Sequence, residues 1–117
     1  MVEMQEKYFD AGEIRLHYLE GPRTGPAMVL LHGATGSARE WSPVLDHLCE
    51  TWHVMAVDLR GHGLSGKPRS LEGYHILRHV QDTIAFLRGV VRPPAVLVGH
   101  SYGALPAMLS GMEGKEG

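Results

Sequence analysis

The stretch Ala95-Val96-Leu97-Val98-Gly99-His100-Ser101-Tyr102-Gly103 decides the fold. Its first four residues are apolar and follow Arg92-Pro93-Pro94, a stop signal. A short apolar run bounded this way suits a strand buried on both faces, as in a parallel sheet. The chain then turns at Gly99 to Gly103 and enters Ala104 to Met112, which reads as a helix. Glycines at 99 and 103 let neighbouring backbone approach without a Cβ clash, so the turn can be sharp.

The same pattern repeats upstream. Ala27-Met28-Val29-Leu30-Leu31 is a second buried-type strand, and His32 to Ser37 is a loop of small residues. Ser37 is placed to cap a helix starting near Ala38, with Glu40 in the capping-box position. Trp41, Val44, Leu45 and Leu48 recur in it at helical spacing. His53 to Leu59 is a third short apolar strand, with Asp58 at its end, and Arg60 to Gly73 is a long loop. Ile76, Leu77, Val80, Ile84, Leu87 and Val91 mark an amphipathic helix of about four turns. Nearer the start, Lys7 to Leu19 reads as a hairpin turning at Asp10-Ala11-Gly12, and Glu20 to Pro26 as a loop. A hairpin followed by β-α-β-α-β-α predicts an α/β domain over residues 1–117. It should hold about five strands, the later ones parallel, with right-handed crossovers and helices on both faces.

Composition narrows the partners. The net charge is −2 and no basic stripe stands out, which argues against nucleic acid. Cys49 is the single cysteine, so no intramolecular disulfide can form and a reducing, cytoplasmic setting is expected. Met1 to Phe9 lacks the apolar segment of a secretory signal. The longest apolar run is too short to span a bilayer, so no membrane role is expected.

The chemistry gathers at the third parallel-type strand. A serine between two glycines, set between strand and helix, projects from the strand's carboxyl end beside a helix N-terminus. Free N–H groups there receive developing negative charge. Ser101 is thus a candidate nucleophile; the plainer alternative is an ordinary strand-to-helix turn with a serine cap. His32-Gly33 closes the Ala27–Leu31 strand, which brings Gly33-Ala34 to the same sheet edge. A backbone N–H of that loop and that of Tyr102 can then share an oxyanion, with His32 bracing the loop. Gly61-His62-Gly63-Leu64-Ser65-Gly66 competes as a dinucleotide fingerprint. That fingerprint needs a helix opening within the glycines, whereas Lys67-Pro68-Arg69 favours extended loop. An acidic strand end about twenty residues further on is also missing.

Leu31-His32-Gly33, Asp58-Leu59-Arg60-Gly61-His62-Gly63-Leu64-Ser65 and Gly99-His100-Ser101-Tyr102-Gly103 together resemble the three N-terminal signatures of the α/β-hydrolase family, in family order. The resemblance implies Ser101 as nucleophile and the amides of Ala34 and Tyr102 as oxyanion hole, with Gly33, Gly99 and Gly103 in support and no metal or cofactor. It implies a small acyl substrate, an ester or a related compound. Dehalogenase and epoxide-hydrolase branches carry a nucleophilic Asp, which position 101 lacks. The family's order is Ser, then Asp or Glu, then His. After Ser101 this chain has neither His nor Asp, and Glu113 and Glu116 sit in a polar tail. The resemblance also implies an eight-stranded sheet and a lid. The expectation is therefore the N-terminal part of a hydrolase, inactive by itself, with acid and base supplied elsewhere. Of the upstream histidines, His62 is the one whose loop could approach Ser101. The alternative is a non-catalytic binding or assembly domain that uses the open edge of the Ala95–Val98 strand, which also invites self-association. Pro106 sits oddly in the last helix unless it falls in the first turn.

Overall fold

The computed structural model describes residues 1–91 and 94–113. Strands β1 (Gln5–Asp10) and β2 (Arg15–Glu20) form the hairpin, paired antiparallel from Gln5↔Glu20 to Asp10↔Arg15. Gly12 takes φ 101° at the turn and donates its N–H to Asp10 Oδ1. β3 (Ala27–Leu31), β4 (His53–Val57) and β5 (Ala95–Gly99) are mutually parallel, in the sheet order β1-β2-β4-β3-β5. β2 joins β4 antiparallel, so the sheet is mixed. β3 pairs with β4 through Leu31↔Val57 and with β5 through Leu31↔Gly99.

Side chains of β3 alternate between two cores, as a pleated strand requires. Val29 and Leu31 face a core with Leu16, Tyr18, Met55 and Val57, closed by Phe86 and Val91. Phe86 lies on helix α2 (Ile76–Gly89) and meets Phe9 and Tyr18 edge-on, with ring centres 5.8 and 4.9 Å apart. Met28 and Leu30 face the other core with Leu19, Val54 and Ala56, closed by Leu45 and Cys49. Leu45 lies on helix α1 (Ser42–Leu48). Helix α3 (Ala104–Glu113) packs against α2 and β5 on the first face. The five strands and two helical layers are those expected from the apolar runs.

Local details differ from expectation. The first helix is preceded by a 3₁₀ turn over Ala38–Trp41, and α1 begins only at Ser42, with Pro43 in its first turn. Ser37 does cap that turn, accepting from Arg39 N at 3.3 Å. Glu40 does not complete a capping box, because its carboxylate is engaged elsewhere. β4 stops at Val57, a 3₁₀ turn covers Leu71–Tyr74 inside the long loop, and α2 ends at Gly89. Pro106 is the third residue of α3, where its missing N–H costs no helical bond. Arg92, Pro93 and Glu116 lie outside the described residues. No helix among the described residues is long and apolar enough to cross a membrane.

Candidate active site

β5 ends at Gly99, and the chain enters a 3₁₀ turn over Ser101–Gly103 before α3 begins. Ser101 takes φ 54°, the only non-glycine at positive φ among the described residues. That conformation is uncommon for a residue with a Cβ and persists only where packing enforces it. Two close approaches enforce it here. A Cβ on Gly99 would stand 2.3 Å from Gly103 O, and one on Gly103 would stand 2.4 Å from Leu31 O and 2.5 Å from His32 O. The turn therefore folds back on its own strand and seats against the end of β3.

The loop after β3 lies beside this turn. A Cβ built on Gly33 would be 3.4 Å from Ser101 Cβ. His32 is fully buried and bonded at both ring nitrogens. Its Nε2 takes the Leu59 N–H at 2.9 Å, and its Nδ1 faces Gly33 O at 2.6 Å. Accepting at Nε2 fixes the neutral ring with its proton on Nδ1. Burial lowers the His32 pKa, only partly opposed by the bond to Gly33. His32 thus ties the end of β3, the Gly33 loop and the end of β4 together. None of the hydrogen bonds among the described residues engages the N–H of Ala34 or of Tyr102. Ser101 is exposed and Tyr102 half-buried.

The Gly61–Gly66 run serves a different purpose from the one its spacing suggests. No helix opens on it. It wraps the buried Asp58 carboxylate, which accepts from Ala38 N at 2.7 Å, Leu64 N at 3.0 Å and His17 Nδ1 at 2.7 Å. Burial pushes the Asp58 pKa up, but these bonds outweigh it and hold it below the usual range. Gly63, at φ 52°, leaves room for that carboxylate. The phosphate-cradling geometry of a dinucleotide site is absent from these described residues.

The upstream histidines are scattered in role. His53 bonds Glu20 at the far end of the sheet, His75 caps α2 through Leu77 N, and His47 lies exposed beside Glu50. His79 is buried on α2, edge-on to Tyr102 with ring centres 5.4 Å apart, and its Nδ1 has no partner among the described residues. Burial, then Arg60 and the neighbouring histidines, lower the His79 pKa to about 4. His62 meets the Gly33-Ala34 loop: its Nε2 faces Ala34 O. A groove of about 980 Å³ lined by Lys7, Glu20, His53 and Arg88 opens at the opposite end of the sheet, away from Ser101.

Sequence reading missed Glu40. Its Oε1 accepts from Gly33 N at 3.0 Å and its Oε2 lies 2.8 Å from His100 Nδ1. One carboxylate therefore spans from the loop after β3 to the turn after β5.

The site sits where β3 and β5 lie side by side while the chain leaves them in different directions, the place where open α/β sheets bind ligands. Comparison with known proteins agrees with this geometry. The chain is 39% identical over 95 residues to a 2-(acetamidomethylene)succinate hydrolase of Mesorhizobium japonicum, covering 81% of this chain and 33% of that protein. It is 35% identical over 102 residues to epoxide hydrolase A of Mycobacterium tuberculosis, covering 86% of this chain and 32% of that protein. A solved 2-hydroxy-6-oxo-6-phenylhexa-2,4-dienoate hydrolase from Rhodococcus sp. strain RHA1 superposes with TM-score 0.86 at 31% identity. That match covers 99% of this chain and 44% of the other. The chain thus spans about a third of the length of the curated relatives it matches. The model of the alpha/beta hydrolase family matches residues 28–114, from β3 through the serine turn and α3, and the chain belongs to that family.

Proposed function

We propose that this chain carries the nucleophile and oxyanion hole of a serine hydrolase that works through an acyl-enzyme on an ester or related small acyl substrate. Ser101 Oγ attacks the carbonyl carbon, and its proton passes to a histidine outside this chain. The carbonyl electron pair moves onto oxygen, where the N–H groups of Ala34 and Tyr102 receive it. The tetrahedral intermediate collapses, the leaving group departs with the proton, and water releases the acid from Ser101. The observation that best supports this reading is the φ of 54° at Ser101, an exposed hydroxyl on a backbone that only packing sustains. Several relatives are named epoxide hydrolases. Serine at 101 instead of the Asp expected in that branch favours acyl transfer over epoxide opening.

The test is a chimera in which residues 1–113 are followed by the part of the Mesorhizobium hydrolase that lies beyond its matched region. Fluorophosphonate labelling and ester hydrolysis should appear, and Ser101→Ala should lower turnover by about 10³-fold or more. Labelling that persists in Ser101→Ala would sink the assignment. The 117-residue chain alone should show no Ser101-dependent turnover of an activated ester, because no base is supplied. A second reading, assembly with another copy of this chain, draws on the outer edge of β5, which among the described residues pairs only with β3 and leaves Val96 exposed. Sedimentation that stays monomeric at high concentration would dismiss it.

A further inference from the structure

Counting the polar backbone groups of Gly33 and Ala34 leaves one of four unused. Gly33 N donates to Glu40 Oε1. Gly33 O accepts from Gly36 N at 3.0 Å and from His32 Nδ1. Ala34 O faces His62 Nε2. Only the N–H of Ala34 has no partner among the described residues. Backbone donors are normally bonded or open to solvent, so this pattern leaves the Ala34 N–H as the free donor of the Gly33-Ala34 pair, next to the residue that touches Ser101.

Two of the three side chains that produce this pattern have no other evident purpose. Glu40 reaches the loop by passing directly over Gly36, where a Cβ would stand 2.0 Å from its Oε1. Its second oxygen lies on His100 Nδ1, and the edge of Trp41 approaches the same imidazole with ring centres 6.3 Å apart. His62 faces a carbonyl oxygen at each ring nitrogen, Arg60 O at 2.9 Å from Nδ1 and Ala34 O at Nε2. Carbonyls only accept, so both bonds form together only when the ring carries a proton on each nitrogen. The groups facing it are the neutral His32 ring at 5.1 Å, the His79 ring at 6.5 Å, and Arg60, whose own charge is paired with Asp82.

We propose that Glu40 and His62 are positioning residues that hold the Gly33-Ala34 segment from its two ends, keeping the Ala34 N–H free and tying the loop to the serine turn through His100. The proposal rests on the reading of Ala34 as an oxyanion donor, and it makes the donor's direction depend on two ionisable side chains outside the family signatures' glycines and serine. Glu40 restrains the loop and the turn together, so one side chain adds to their direct packing in setting the distance between Ala34 N and Ser101.

The test uses the ¹⁵N-labelled chain and follows backbone amide resonances and hydrogen exchange. Gly33 N–H should be protected in the unmodified chain. Glu40→Ala should lose that protection by about tenfold or more, the size of a hydrogen bond to a charged acceptor. Gly36→Ala should do the same, by displacing Glu40. Glu40→Gln keeps an acceptor oxygen and should restore it. In His62→Ala the Ala34–Thr35 amide resonances should shift while Gly33 N–H stays protected. Unchanged Gly33 exchange in Glu40→Ala, or Ala34–Thr35 resonances unmoved in His62→Ala, overturns the proposal. Ser101→Ala should leave every one of these signals in place. A failed clamp therefore shows in the exchange data, and a failed nucleophile assignment shows in the labelled chimera.

Discussion

β3 and β5 are five-residue strands of nearly equal apolar character, AMVLL and AVLVG, lying side by side in parallel register. Every residue of β3 is buried, whereas β5 runs from exposed at Ala95 and Val96 to half-buried at Gly99. The difference lies in neighbours: among the described residues β3 has a strand on each side, and β5 has one on one side only. Yet the serine turn grows from the less buried strand. The lesson is that the turn's geometry is borrowed from β3, through Gly103 against Leu31 and His32 and through Gly33 against Ser101.

That comparison breaks most directly at Gly103. A methyl group there meets two carbonyl oxygens of the β3 end, which no side-chain rotation relieves. Gly103→Ala should cost about 4 kcal/mol or more, or prevent folding, as read by urea unfolding. A loss no larger than an ordinary surface change would mean that the turn does not lean on β3.

The two strand ends also differ in how their imidazoles are held. His32 after β3 is bonded at both nitrogens, while His79 beside Tyr102 has no partner for Nδ1 among the described residues. His79 titrates at about 4 in the folded chain and near 6.5 when unfolded. The folded state therefore binds fewer protons. Stability should be complete above pH ~6.5 and should fall as pH drops toward 4, by up to about 3 kcal/mol. His32 is shifted in the same direction and adds to the loss. Chemical denaturation across this range should show the slope, and His79→Leu should flatten part of it. An unchanged slope in His79→Leu would remove His79 from the account.

A matched pair of truncations sharpens the contrast between the strands themselves. Val29→Ala, at a fully buried site, should cost about 2–3 kcal/mol. Val96→Ala, at a site 41% exposed, should cost less than about 1 kcal/mol. Equal costs would mean that β5 is covered in solution, by a second copy for instance. The smallest effect on stability is expected from Val96→Lys, within about 0.5 kcal/mol. That charge should nevertheless suppress any strand-edge association seen by sedimentation at high concentration.

The strands, helices and serine turn were legible because each depends on a short run with local meaning. Apolar runs between breakers gave the strands, and paired glycines around Ser101 gave the turn. The unequal burial of β3 and β5 was illegible in the runs themselves, since five apolar residues look alike whatever flanks them; only the resemblance to a larger sheet pointed to an open edge on Ala95–Val98. Glu40 was misread for a related reason. A capping box is a rule about residues three apart, and it lost to a carboxylate whose second partner, His100, is sixty residues away. His62 and His79 fit a polar loop and an amphipathic helix equally well, so nothing local marked the ring cluster around Ala34 and Tyr102.

The backbone at residue 101 has an evolutionary consequence. A positive φ of 54° is cheap for glycine and costs a side-chain-bearing residue on the order of 1 kcal/mol or more. Selection for stability alone would place glycine there, and Ser101→Gly is the replacement that would relax the fold. Keeping a hydroxyl on that strained corner carries a thermodynamic cost confined to a single position. Because the backbone, not the hydroxyl, dictates where the Cβ points, the scaffold can exchange the group it presents without being rebuilt.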